Sequence, residues 1–222
     1  MREPLITIDG PAGSGKTTVS RILADRLGYR YIDTGALYRA VAVAARAAGV
    51  APDDDAGLET LCAGLSLRFV RTPEGTRLLE GDEDVTDRLR SPEVSMLASA
   101  VSARPPVREH LLAVQRWMGR EGAAVFEGRD MGTVVFPDAD RKFFLTADLE
   151  TRARRRFDEL PKADGITRES VKDDMARRDQ RDAGRTLAPL TPAPDAILID
   201  TSHRSPDEVV AEMLVHCAPE PR

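Results

Sequence analysis

The chain has little of several things, and each scarcity excludes something. Among 222 residues there are two cysteines, Cys62 and Cys217, far apart and without metal-type spacing. That excludes a disulfide framework and suits a reducing compartment. No apolar run approaches the length needed to cross a bilayer, and the short one ending at Asp9 is too brief for a signal peptide. The reading is therefore a cytoplasmic protein with no membrane partner. Lysine is almost missing: Lys16, Lys142, Lys162 and Lys172 are the whole set, and arginine supplies the rest of the positive charge. The net charge of −5 speaks against a general nucleic-acid binder, and nothing in the chain demands more than a monomer.

What is present reads as one α/β domain. Leu5-Ile6-Thr7-Ile8 is a buried strand, followed by a glycine-rich turn and a helix from about Gly15 to Leu27. Tyr31-Ile32-Asp33 is a second strand, and Leu37 to Ala48 a second helix. Strand–helix alternation of this kind predicts a parallel sheet with covered faces. The alternation then stops. Residues 65–70 and 76–79 read as an antiparallel hairpin with a third short strand near Val85, so residues 62–90 are taken as an inserted lobe in a core of 1–61 and 91–222. Helix 106–119, strands 123–126 and 142–145, and helix 149–158 capped by Asp148 resume the core. Residues 160–188 are polar and arginine-rich, a candidate lid. Strand 196–200 and a helix opened by the capping box Ser205-Pro206-Asp207-Glu208 close the fold, with residues 219–222 as a frayed tail.

Gly10-Pro11-Ala12-Gly13-Ser14-Gly15-Lys16-Thr17 fits G-x-x-x-x-G-K-[ST] at every fixed position, between a strand and a helix. Such a loop wraps backbone N–H groups around a phosphate chain, and the helix N-terminus adds positive potential. Lys16 is expected to reach the β- and γ-phosphates, Thr17 to sit by Mg²⁺, and Thr18 to continue the loop into the helix. This motif alone implies a nucleoside triphosphate; it does not choose among a kinase, an ATPase and a GTP switch. No Asn-Lys-x-Asp segment follows to read guanine, which favours ATP.

Three further clusters carry chemistry. Asp33-Thr34-Gly35-Ala36-Leu37-Tyr38-Arg39 sets a hydroxyl, a helix start and an arginine where a second anion could bind; an ordinary N-cap is the simpler alternative. Gly128-Arg129-Asp130-Met131-Gly132-Thr133 follows a buried strand at its carboxyl end, where open sheets place ligands. Arg178, Arg181 and Arg185 share one face of a helix, with Asp174 and Asp182 four residues to either side of Arg178. They read either as a solvated, salt-bridged helix or as a flap closing over a phosphoryl group.

The succession GPAGSGKTT, DTGALYR, GRDMGTVVFPDA and RRDQRDAGRTLAPL is similar to that of bacterial cytidylate kinases, over nearly the whole chain. The resemblance implies a P-loop NTPase-type parallel sheet flanked by helices, a small antiparallel acceptor lobe and an arginine-rich lid. It implies phosphorylation of CMP and dCMP by ATP with Mg²⁺. It also implies roles. Lys16, Arg129, Arg178 and Arg185 would serve catalysis. Thr34, Arg39 and Arg129 would hold the acceptor phosphate. Ser99, Arg108 and Asp130 would read cytosine. Arg178, Asp182 and Arg185 would contact the acceptor, Asp182 through its sugar. Two positions depart from the common pattern: Thr34 stands where many relatives carry serine, and Glu127 where aspartate is common. The other readings are a P-loop kinase of UMP, AMP or shikimate, and a nucleotide-dependent switch without turnover.

Overall fold

The protein is described from a computed structural model covering residues 3–73, 75–89, 91–160, 167–185 and 187–217. It divides into two compact units, residues 1–31 with 121–222, and residues 32–120. The frayed tail expected at 219–222 and part of the expected lid, 161–166 and 186, lie outside the described residues.

The first unit is built on a five-stranded sheet. Its strands are β1 (Leu5–Asp9), β2 (Arg30–Asp33, whose first two residues belong to this unit), β6 (Ala124–Gly128), β7 (Arg141–Thr146) and β8 (Ile197–Asp200), in the order β2-β6-β1-β7-β8. Strand β1 runs parallel to β6 and β7, and β7 to β8. The central strand is apolar on both faces because helices cover both, as parallel sheets require. Ile6, Ile8, Phe143, Leu145 and Val125 pack against Val19 and Leu23 of α1 (Lys16–Leu27) and Val209, Val210 and Met213 of α8 (Pro206–Cys217). The expected capping box opens α8: Glu208 Oε2 accepts from Ser205 N at 2.8 Å, and Ser205 Oγ from Glu208 N at 3.4 Å. Asp148 caps α6 (Leu149–Glu159), accepting from Thr151 N at 2.7 Å. Helix α7 (Arg168–Ala183) pairs with α6 through Ala153, Val171 and Met175. Its start at Thr167 is a second capping box, closed by Ser170 in place of the usual acid.

The second unit holds α2 (Thr34–Ala47), α3 (Asp55–Gly64), α4 (Pro92–Val101) and α5 (Pro105–Met118) with a small antiparallel sheet. That sheet is β3 (Leu67–Thr72), β4 (Gly75–Glu80) and β5 (Glu83–Asp84). It comes where the broken alternation predicts it, but its third strand is only two residues and stops before Val85. Arg77 clamps the sheet to the turn beyond, pairing with Asp84 at 2.6 Å and Asp87 at 2.7 Å; its guanidinium holds the Asp84 carboxyl down at about 2. Helices α3 and α4 are not announced by the apolar pattern. Their caps account for them: Asp54 accepts from Gly57 N at 3.0 Å, and Ser91 Oγ from Val94 N at 3.1 Å. Helix α2 begins three residues earlier than the pattern suggests, because Asp33 accepts from Ala36 N at 3.0 Å.

Candidate active site

The glycine-rich loop leaves β1 at the carboxyl edge of the sheet. Gly10 has no room for a side chain, since a Cβ there would lie 2.1 Å from the Leu145 carbonyl oxygen. Gly13 turns the loop at φ 73°, where a side chain would also strike Arg152. Helix α1 then starts at Lys16 with Gly15 as a cap that has no side-chain acceptor, and with no acidic residue in its first turn. Its opening amides thus meet no protein anion, the arrangement that receives phosphate. Lys16 is buried and donates from Nζ to the Pro11 carbonyl at 3.0 Å, so its ammonium curls over the loop.

The outer side of the loop is braced by residues that sequence reasoning missed. Arg152 of α6 donates to the Ala12 carbonyl at 3.2 Å and to Asp179 of α7 at 2.7 Å. Arg155 reaches the Gly13 carbonyl at 3.4 Å, and Thr201 Oγ1 donates to the Ser14 carbonyl at 2.9 Å. The carbonyls of Ala12, Gly13 and Ser14 are thus all engaged by the protein itself. No sequence signal marks these residues; they sit in a charged helix and after the last strand.

Thr17 Oγ1 donates to Glu127 Oε1 at 2.8 Å, and the Tyr31 hydroxyl to Glu127 Oε2 at 2.7 Å. Glu127 is buried at the end of β6, opposite Ile8 in register. A hydroxyl and a carboxylate side by side at the mouth of a phosphate loop are hard oxygen donors of the kind Mg²⁺ takes alongside substrate phosphates. Among the described residues no group of three His, Cys, Asp or Glu could hold a metal ion.

Four of the residues singled out from sequence meet on one carboxylate. Asp182, 2% exposed, receives Arg185 Nη2 at 2.5 Å and Arg129 Nε at 3.3 Å, and Arg178 Nε stands 3.9 Å away. Asp174, expected to share in offsetting Arg178, pairs with Arg177 at 2.5 Å. Asp130, beside Arg129, is buried and opens a π-helical turn, Met131–Val135. Such π turns recur at functional positions.

Thr34, Arg39, Ser99 and Arg108 belong to the second unit. Arg39 donates to its N-cap neighbour Asp33 at 2.7 Å. Thr34 is buried at the first position of α2. Arg108 donates to the Ser102 carbonyl at 3.2 Å, with its guanidinium 6.0 Å from the Tyr38 ring centre. Ser99 Oγ is buried with no hydrogen-bond partner among the described residues, a cost that a polar ligand would relieve.

A phosphate loop at the end of a central parallel strand, with arginines at the next strand and on the helix after α6, defines a P-loop kinase type of protein. A shikimate kinase structure from Bacteroides thetaiotaomicron shares the fold, with a TM-score of 0.50 and 13% identity, covering 96% of this chain and 98% of that one. The family profile for cytidylate kinase matches residues 6–218. A cytidylate kinase of Geobacter sulfurreducens is 52% identical over 94% of this chain and 90% of its own length, and one of Geobacter sp. strain M21 is 50% identical over the same shares. The chain belongs to the cytidylate kinase family.

Proposed function

We propose that the protein transfers the γ-phosphoryl group of ATP to CMP or dCMP, giving ADP and CDP or dCDP. The observation that carries this reading is the pairing of two anion sites in one unit. The uncapped start of α1 receives the donor phosphates, and one strand over, Arg129 follows the end of β6.

In this reading residues 10–18 cradle the donor phosphates and Lys16 turns from the Pro11 carbonyl onto the β- and γ-oxygens. Thr17 and Glu127 would hold Mg²⁺, which would supply positive charge to offset that of the donor phosphates. Thr34, Arg39 and Arg129 hold the acceptor phosphate. Ser99, Arg108 and Asp130 read the cytosine edge, and the Ser99 hydroxyl, buried without a hydrogen-bond partner among the described residues, supports that assignment. Arg178 and Asp182 contact the acceptor, Asp182 through its sugar. Arg178 and Arg185 leave their shared carboxylate to meet negative charge on the moving phosphoryl group. The acceptor oxygen is largely ionised near neutral pH, since its second pKa is about 6, so no general base is needed. This agrees with His110, His203 and His216 all lying outside these clusters. Catalysis then rests on alignment and charge neutralisation.

The antiparallel lobe, about 62–90, is taken as the part that closes on the acceptor, and 160–188 as the lid that excludes water. Among the described residues no helix is long and apolar enough to cross a membrane, and both cysteines are free. The reading takes the protein as a cytoplasmic monomer working on small nucleotides. The test is ADP formation from ATP and Mg²⁺ with CMP, dCMP, UMP and AMP in parallel. Turnover confined to CMP and dCMP is expected. A preference for UMP or AMP overturns the cytosine-reading roles, and ATP binding without turnover favours a switch.

A further inference from the structure

Asp9 has no part in the transfer outlined above, yet it is a buried charge at the last position of β1, directly before Gly10. Both hydrogen bonds of its carboxylate go to the same segment: Met131 N donates to Oδ1 at 2.9 Å and Gly132 N to Oδ2 at 2.8 Å. Those amides open the π turn 131–135. Asp130, the residue placed to cap it, makes no side-chain cap bond. Asp9 therefore caps that turn from the neighbouring strand, with negative charge at the end where amides point outward.

A second observation fixes the same segment. A Cβ on Gly132 would lie 3.2 Å from both Thr7 Oγ1 and Lys142 Cδ, so the turn is seated closely on β1 and β7. Lys142 is itself pinned by the Pro137 carbonyl and Asp195. On the other side, Gly128 is held in sheet register opposite Asp9. Arg129 and Asp130 are the two residues between these clamps.

We propose that Asp9 is a positioning residue for the acceptor nucleotide: its carboxylate, by capping 131–132, sets Arg129 and Asp130 in place to bind it. The proposal rests on the reading of Arg129 and Asp130 as acceptor contacts. A carboxylate suits this task because it accepts two amides at once; an amide side chain would turn a donor toward one of them. Burial pushes the Asp9 carboxyl up to about 6, and it stays largely ionised at neutral pH.

The experiment compares wild type, Asp9→Asn, Gly132→Ala and Arg129→Ala, reading KM for CMP, KM for ATP and kcat, with melting temperatures as a fold check. Asp9→Asn should raise KM for CMP roughly tenfold, the scale of one lost charge-assisted hydrogen bond, and leave KM for ATP within about twofold. Gly132→Ala, which crowds the same turn against Thr7 and Lys142, should give the same split. It carries the comparison if Asp9→Asn yields no folded protein. An unchanged KM for CMP in Asp9→Asn and Gly132→Ala, with a raised one in Arg129→Ala, overturns the positioning role alone. KM values for CMP and ATP rising together overturn it too, since a general loosening would do that. An unchanged KM for CMP in Arg129→Ala overturns the acceptor reading beneath it.

Discussion

The phosphate loop and the arginine cluster prepare for anions in opposite ways. Around 10–17 the positive end is made of backbone amides, and Arg152, Arg155 and Thr201 hold the peptide units from behind. Around Asp182 the positive charge is on long side chains, which one internal carboxylate gathers. The first site is braced by hydrogen bonds from the protein itself. In the second, one carboxylate offsets only part of the charge of three guanidiniums, and the proposed function has those internal pairs open to a phosphate. A loop that binds the same triphosphate in every cycle gains from being fixed. A cluster that must meet charge developing in the transition state can afford to exchange partners.

Substitutions can break this contrast. Lys16→Ala and Arg185→Ala should each lower kcat by about 10³-fold with the fold intact, because each removes a cation from the transferring group. They should differ in KM for ATP, which rises in Lys16→Ala and stays near normal in Arg185→Ala. Steady-state kinetics on purified variants decides this, and near-normal turnover in Lys16→Ala would refute the cradle.

Asp182→Asn sharpens it next. Without the carboxylate, three guanidiniums lack their common counterion. A loss of about 2 to 3 kcal/mol is expected, below that of a fully buried pair because Arg178 is partly solvated. Added inorganic phosphate should raise the melting temperature of this variant more than that of wild type, by replacing the lost charge. Equal responses would mean that the cluster is not an anion site held by Asp182.

The remaining effect concerns Asp9 and is read in the pH dependence of stability. Its folded pKa of about 6 lies above the ordinary 3.8, with burial as the main cause, Asp130 adding to the rise, and Arg129 and the amides of Met131 and Gly132 opposing it. A raised carboxyl pKa favours the fold below pH 3.8, and that contribution is lost as pH rises through 6. The difference amounts to about 3 kcal/mol. Wild-type stability should therefore fall relative to Asp9→Asn between pH 4 and 6 and run parallel above pH 7. Denaturant unfolding across that range reads it; a constant difference from pH 4 to 8 would contradict it.

The same contrast explains what the sequence could show. The phosphate loop is a local device, so Gly10, Gly13, Gly15, Lys16 and Thr17 stand at fixed spacing and can be read directly. Asp148 and the Ser205–Glu208 box are legible for the same reason, since a cap and its amide lie three residues apart. Asp9 is not, because its partners are 122 and 123 residues away and only the parallel register of β1 and β6 brings them near. Arg152 and Arg155 are hidden among the arginines of α6. Helix α3 is invisible to periodicity because only Leu58 and Cys62 of it are buried. The roles of Ser99 and Arg108 came through likeness to a family, not through spacing.

The most direct test of the account is the ratio of kcat/KM for CMP to that for UMP, measured with ATP and Mg²⁺. A site with polar groups aimed at the exocyclic amine of cytosine should favour CMP by about 10²-fold or more, and Ser99→Ala should shrink that preference. Equal use of CMP and UMP, or a preference that Ser99→Ala leaves untouched, would contradict it.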